Sequence, residues 1–297
     1  MTEELSGDHP APGAGAGSGN AAGGEQPAAP YGVDPNRPNP ARMYDYFLGG
    51  YDNYEVDRAA GDEVLARAPE FRPGARATRA FMHRAVRFVA QQGIRQFIDI
   101  GTGMPTAPNV YDTVRAVRPD ARVVYVDNDP IVRVHAQARL TVAGRTCFVE
   151  ADVREPERIL GHPDLRALID FDHPVGLILS SVMHFVADDA DPVGIVAKLR
   201  NALADESYLV LSHITADFTS RQEEIKTAAG VYQKATAQMV LRPKAQVLPM
   251  FDGFELVEPG LVQLSRWRPD PPMAAESDEM DVGIIGYAGV GRKTATA

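Results

Sequence analysis

Only one cysteine, Cys147, occurs in 297 residues, so no disulfide can close within the chain. It sits in Thr146-Cys147-Phe148-Val149, an apolar setting that suits a core thiol better than a nucleophile. Positive charge is in deficit: 30 Lys and Arg stand against 40 Asp and Glu, a net charge of −10. Binding to a phosphate backbone needs clustered positive charge, and no basic patch stands out, so no nucleic-acid partner is expected. No apolar run approaches the length of a membrane span. The N-terminus has neither the basic start nor the apolar core of a signal peptide. A cytoplasmic protein without membrane contact is therefore expected. His, Cys and acidic residues nowhere cluster at ligand spacing, so no metal is expected. What remains is an ordinary globular composition, 44% hydrophobic and 24% charged, with a length that allows one large α/β domain or two small ones.

The stretch Phe97-Ile98-Asp99-Ile100-Gly101-Thr102-Gly103 is the centre of the chain. A short apolar run reads as a buried parallel strand. Two glycines directly after it allow a sharp turn and close approach to a ligand. A plain strand-to-helix turn also favours glycine, so the context decides between structure and site. Four further strands, each followed by a helical pattern, are read at Arg122–Val126, Thr146–Glu150, Val175–Leu179 and Tyr208–Ile214. Five such alternations predict a Rossmann-like, doubly wound parallel sheet.

Acids recur at the strand ends. Asp99 lies in the first strand, Asp127 and Asn128 end the second, and Asp152 and Val153 follow the third. A carboxylate at the tip of the second strand can accept hydrogen bonds from both ribose hydroxyls of an adenosine ligand. The competing role for Asp127 or Asp129 is to cap the next helix, with Pro130 at its first position; the two roles are compatible. Met104-Pro105 stands where a phosphate-binding turn would continue. The third glycine of Gly-x-Gly-x-x-Gly is missing, and no Walker lysine follows. These absences weigh against NAD, FAD and ATP and favour S-adenosylmethionine. Ser180 and His184 at the end of the fourth strand would face the same crevice, His184 either as a general base or as a ring shaping the pocket.

Outside this core, residues 1–30 are rich in Gly, Ala, Pro and Ser and read as a disordered tail. Residues 31–93 form a helical segment, with Asp57 as a cap and breaks at Pro69 and Pro73-Gly74. Its aromatic run, Met43-Tyr44-Asp45-Tyr46-Phe47-Leu48-Gly49-Gly50, reads either as a packed helix or as a lid over a ligand. In the lid reading Tyr44 and Gly49 approach the ligand, and Tyr44 or Tyr46 could serve as a base. His83 reads as a solvated surface side chain. The sheet domain spans 94–270. It continues after the fifth strand with a helix over Thr219–Thr236 and strand-like segments at Ala245–Pro249, Phe254–Val257 and Leu261–Trp267. The last two predict an antiparallel hairpin about Glu258-Pro259-Gly260. Residues 271–297 read as a tail partly packed on the core.

Asn39–Gly50, Phe97–Thr106 and Val123–Pro130, together with Ala151-Asp152-Val153, resemble the actinobacterial S-adenosyl methyltransferase family, once a domain of unknown function, within the class I methyltransferases. The resemblance covers roughly residues 35–270. It implies a seven-stranded sheet whose last strand is antiparallel. It implies S-adenosylmethionine over Gly101, Thr102 and Gly103, ribose on Asp127, adenine near Asp152 and Val153, and the N-terminal aromatic segment closing above. Pro105 replaces the usual small residue, so a different grip on the methionine end is expected. The leading expectation is a methyltransferase for a small-molecule acceptor, with S-adenosylhomocysteine as product. A non-catalytic protein binding either form of the cofactor is the alternative. An NAD-linked oxidoreductase is a third reading, disfavoured by the glycine pattern.

Overall fold

The computed structural model describes residues 33–270 and 285–294. The expected tail 1–30 and all of 271–284 lie outside them. The five apolar runs form parallel strands β1 (Gln96–Ile100), β2 (Arg122–Asp127), β3 (Thr146–Glu150), β4 (Gly176–Ser180) and β5 (Tyr208–Ile214). β6 (Phe254–Leu256), β7 (Val262–Gln263) and β8 (Gly286–Lys293) complete one mixed sheet. Its order is β3-β2-β1-β4-β5-β8-β6, and β7 also pairs with β8. Strand order reverses between β1 and β4, which places a crevice at their carboxyl ends.

Helices α1 (Pro40–Leu48), α2 (Glu55–Arg67) and α3 (Phe71–Gln91) precede the sheet. Between strands lie α4 (Val110–Arg115), α5 (Pro130–Arg139), α6 (Pro156–Leu160), α7 (Pro163–Leu168) and α8 (Pro192–Asn201). After β5 come α9 (Gln222–Gly230) and α10 (Lys244–Val247). Strand side chains alternate between two layers of core, as a period of two requires. Ile98, Ile100, Val124 and Val126 face one cluster, and Phe97, Val123 and Tyr125 face the other. A third cluster joins α1, α2 and α9 with Ile285 at the foot of β8. It holds the N-terminal helices above the carboxyl ends of the strands.

Several local expectations change. Ala245–Pro249 is not a strand but α10 and a 3-10 turn. Val247, Met250 and Phe251 enter the core together, and their spacing is helical. The antiparallel end of the sheet is present. However, β6 and β7 each pair with β8 rather than with each other, and Leu264–Arg266 is a 3-10 turn. β8 runs antiparallel between β5 and β6, so the division drawn at residue 270 falls inside the sheet. Its glycines hid it as a strand, and the packing explains them. A Cβ on Gly291 would lie 2.7 Å from the Phe254 Cβ, and one on Gly289 would lie 2.8 Å from the Phe251 ring. Pro73-Gly74 lies within α3, where proline in a first turn costs no hydrogen bond. Asp57 lies inside α2 rather than before it; its carboxylate accepts from the amides of Tyr54 and Asn39.

Candidate functional site

The turn after β1 is built by its glycines. Gly101 and Gly103 have φ of +77° and +65°, which side-chain-bearing residues avoid. The amides of Gly101 and Thr102 donate to the Val126 carbonyl at 2.8 and 3.2 Å. The Gly103 amide donates to Asp127 Oδ2 at 2.9 Å. All three amides are thus engaged by the protein, and a carboxylate stands beside them. A phosphate cradle needs free amides, so this turn does not fit a pyrophosphate.

Asp127 also accepts from the Asp129 amide through Oδ1, at 3.0 Å. An ionised carboxylate has about four acceptor positions, so these bonds do not exhaust it. Burial pushes its pKa up to about 6, against backbone amide bonds from Gly103, Asp129 and Asn128 that favour the charged form. Asp99, in β1, is pushed up to about 7 by burial, with Arg79 acting against this and Asp127 adding to it. Asp129 caps α5, its Oδ1 accepting from the Ile131 amide, with Pro130 at the first helical position. Asp152 accepts from Asn128 Nδ2 at 2.8 Å and from Arg154. Burial alone would raise the Asp152 pKa, but the bonds from Arg154 and Asn128 outweigh it and hold it below its ordinary value.

Asp99 makes stability depend on pH in a definite direction. Its folded pKa of about 7 lies above the ordinary 3.8. The folded state therefore holds more protons between these values, and stability falls as pH rises through them. Asp99→Asn is expected to raise the melting temperature of the ligand-free protein more at about pH 8 than at about pH 4.5. An equal change at both would show that Asp99 is solvated.

These residues line one cavity of about 360 Å³, within the size range of small-molecule sites. On its wall are the sequence candidates Tyr44, Asp99, Gly101, Thr102, Gly103, Asp127, Asn128, Asp152, Val153, Ser180 and His184. Tyr44 donates to the Ala75 carbonyl at 3.0 Å, and burial pushes its pKa up to about 12. Ser180 Oγ lies 3.1 Å from Ser212 Oγ across the β4–β5 pair. Two candidates lie off the wall. Tyr46 faces away from the cavity, on the other side of α1, and donates to Asp62 at 2.5 Å. Gly49 ends α1 in a left-handed conformation, and its role is to stop the helix. His83 is half-buried rather than solvated; Nδ1 lies 2.7 Å from Thr113 Oγ1, and burial with Arg79 and Arg87 lowers its pKa to about 4.

Sequence reasoning missed the support behind His184. Arg242 is 2% exposed. It donates to the Met183 and Val186 carbonyls, to Asp188 and to His213 Nε2. His213 Nδ1 lies 2.7 Å from the Ile214 carbonyl, which fixes the proton on Nδ1 and leaves Nε2 to accept from Arg242. The His184 and His213 rings meet edge to face at 5.6 Å. No local pattern marks Arg242, which follows a polar segment well past β5.

A family model described as S-adenosyl methyltransferase matches residues 26–294. The chain belongs to this S-adenosyl methyltransferase family. A DUF574 family protein from Streptomyces avermitilis is 43% identical, with a TM-score of 0.82 over 88% of this chain and 99% of that one. A protein from Thermobifida fusca is 39% identical, with a TM-score of 0.82 over 90% of this chain and 98% of that one. Both come from actinobacteria. No curated protein matches. The protein is an S-adenosylmethionine-dependent methyltransferase with a class I fold. Among the described residues of the methyltransferase, no helix is long and apolar enough to cross a membrane, and no three His, Cys, Asp or Glu are grouped to hold a metal ion.

Proposed function

We propose that this methyltransferase binds S-adenosylmethionine along the β1–β3 side of the cavity and methylates a small-molecule acceptor on the opposite side. The carrying observation is the β1 turn, whose amides are taken by Val126 and Asp127 while the Asp127 carboxylate keeps acceptor capacity. That pattern suits a ribose diol and not a pyrophosphate. Asp152, steadied by Asn128 and Arg154, and Val153 offer the adenine end a polar edge and an apolar face. Asp99 and Arg79 present opposite charges toward the amino-acid end, which carries both signs. S-adenosylmethionine supplies an activated methyl group on a positively charged sulfur. The protein's task is to align the acceptor and exclude water. α1 serves both, since Asn39, Ala41, Tyr44 and Phe47 roof the cavity.

Calorimetric titration with S-adenosylmethionine and S-adenosylhomocysteine is expected to show micromolar binding of both. Binding of neither to the folded protein overturns the reading. Asp127→Asn removes one charged acceptor and is expected to weaken S-adenosylhomocysteine binding by about 1–3 kcal/mol. An unchanged affinity would place the ribose elsewhere.

A further inference from the structure

Among the described residues, the half of the cavity away from the acids carries no charged side chain. The lining residues Arg79, Asp99, Asp127, Asp129, Asp152 and Arg154 all belong to the β1–β3 side and its α3 flank. The opposite wall is rich in aromatic and apolar side chains, Phe47, Phe71, Phe185, Tyr232, Leu264 and Ile285, with neutral polar groups such as Ser180, Ser212 and His184 among them. Phe47 and Phe71 pair at 6.2 Å, and Phe185 and Tyr232 at 5.8 Å. Such surfaces hold planar rings and reject ions, because a charge moved there would lose its hydration without a partner.

One polar atom on this wall lacks a partner among the described residues. His184 is 5% exposed, and its Nδ1 is buried without a hydrogen bond. Buried polar groups are nearly always paired, so an unpaired one on a cavity wall points to a ligand with polar atoms of its own. Among the described residues, the wall also lacks a proton sink. Burial, His213 and the Arg242 guanidinium behind it hold the His184 pKa well below its ordinary value. His213 already accepts from Arg242, and Tyr44 already donates to Ala75.

We infer that the methyl acceptor is an uncharged planar aromatic molecule that reacts through a nitrogen lone pair, stacked between the Phe185–Tyr232 and Phe47–Phe71 ring pairs. This rests on the cofactor reading above. The nitrogen lone pair forms the new N–C bond as the C–S bond breaks, and that electron pair stays on sulfur. The positive charge passes to nitrogen, whose N–H proton then leaves to water. No protein base is required, in keeping with a neutral His184, which acts as a hydrogen-bonding partner.

The test uses three probes of one shape, 1-naphthylamine, 1-naphthol and 1-naphthoate, near neutral pH. Each is titrated into protein saturated with S-adenosylhomocysteine and then incubated with enzyme and methyl-labelled S-adenosylmethionine. The amine and the naphthol are expected to bind, and the carboxylate at least about tenfold more weakly, a difference set by its desolvation. Label is expected on the amine alone. Phe185→Ala should weaken amine binding about tenfold through lost ring burial while leaving S-adenosylhomocysteine affinity unchanged. If the protein binds S-adenosylhomocysteine but not the amine, or binds the carboxylate as tightly, the aromatic assignment fails. If the naphthol is methylated as fast as the amine, or the bound amine is not methylated, the nitrogen assignment fails. If S-adenosylhomocysteine itself does not bind, the cofactor reading falls and this inference with it.

Discussion

Gly101→Ala is expected to lower both the stability of the protein and its affinity for the cofactor. The residue sits at φ +77°, where a Cβ costs about 1–2 kcal/mol. The new Cβ would lie 2.5 Å from Val182 Cβ and 2.6 Å from its Cγ2. Val182 lies two residues past the end of β4 and cannot retreat without moving Met183, whose carbonyl Arg242 holds. Overpacking of this kind costs about 1–3 kcal/mol more. Together these correspond to a fall in melting temperature of roughly 5–15 °C for a domain of this size. Displacing the turn also misplaces Gly103 and the Asp127 carboxylate it bonds. S-adenosylhomocysteine affinity should therefore drop by about tenfold or more. Scanning calorimetry and titration on one preparation check both effects. A variant with unchanged melting temperature and affinity would mean that the turn is not rigid, and the ribose assignment would lose its support.

Asp57→Ala should destabilise the protein still more. Arg42 Nε and Asp57 Oδ2 lie 2.6 Å apart, with side chains 2% and 0% exposed. The same carboxylate accepts from the Asn39 and Tyr54 amides. Removing one partner of a buried pair strands the other charge and costs about 3–5 kcal/mol. Here two amides are orphaned as well. The damage is centred on α1 and α2, so cofactor affinity should fall too, since α1 roofs the cavity. Replacing both residues with apolar ones of similar size, Arg42→Met with Asp57→Leu, should recover much of the loss. Urea unfolding of the three proteins gives the comparison. A loss below about 1 kcal/mol for Asp57→Ala would be the behaviour of a solvated pair and would contradict the observed burial.

The relation between sequence and structure divides along the same line as these two variants. The sequence alone determined the order of β1 to β5 and the glycine turn at Gly101–Gly103. It also placed Asp99, Asp127 and Asp152 near successive strand ends and the Asp129–Pro130 start of α5. Each is a local feature: apolar period, φ preference or capping chemistry acts within a few residues, and the chain displays it directly. The missing third glycine and Walker lysine already favoured S-adenosylmethionine, and the family resemblance then pointed to the same ligand.

Tertiary structure decided what distant segments do to one another. Residues 286–293 look like a glycine-rich tail until Phe251 and Phe254 are seen pressed against Gly289 and Gly291. Tyr44 and Tyr46 are alike as letters on an aromatic run, yet one turns to the cavity and the other to Asp62. Arg42 and Asp57, 15 residues apart, and Arg242 and His213, 29 apart, become partners only because burial leaves their charges and lone pairs no water to bond. Such pairing has no period and no motif. It follows from the cost of an unsatisfied polar group inside a packed core, and it is read only once the core is assembled.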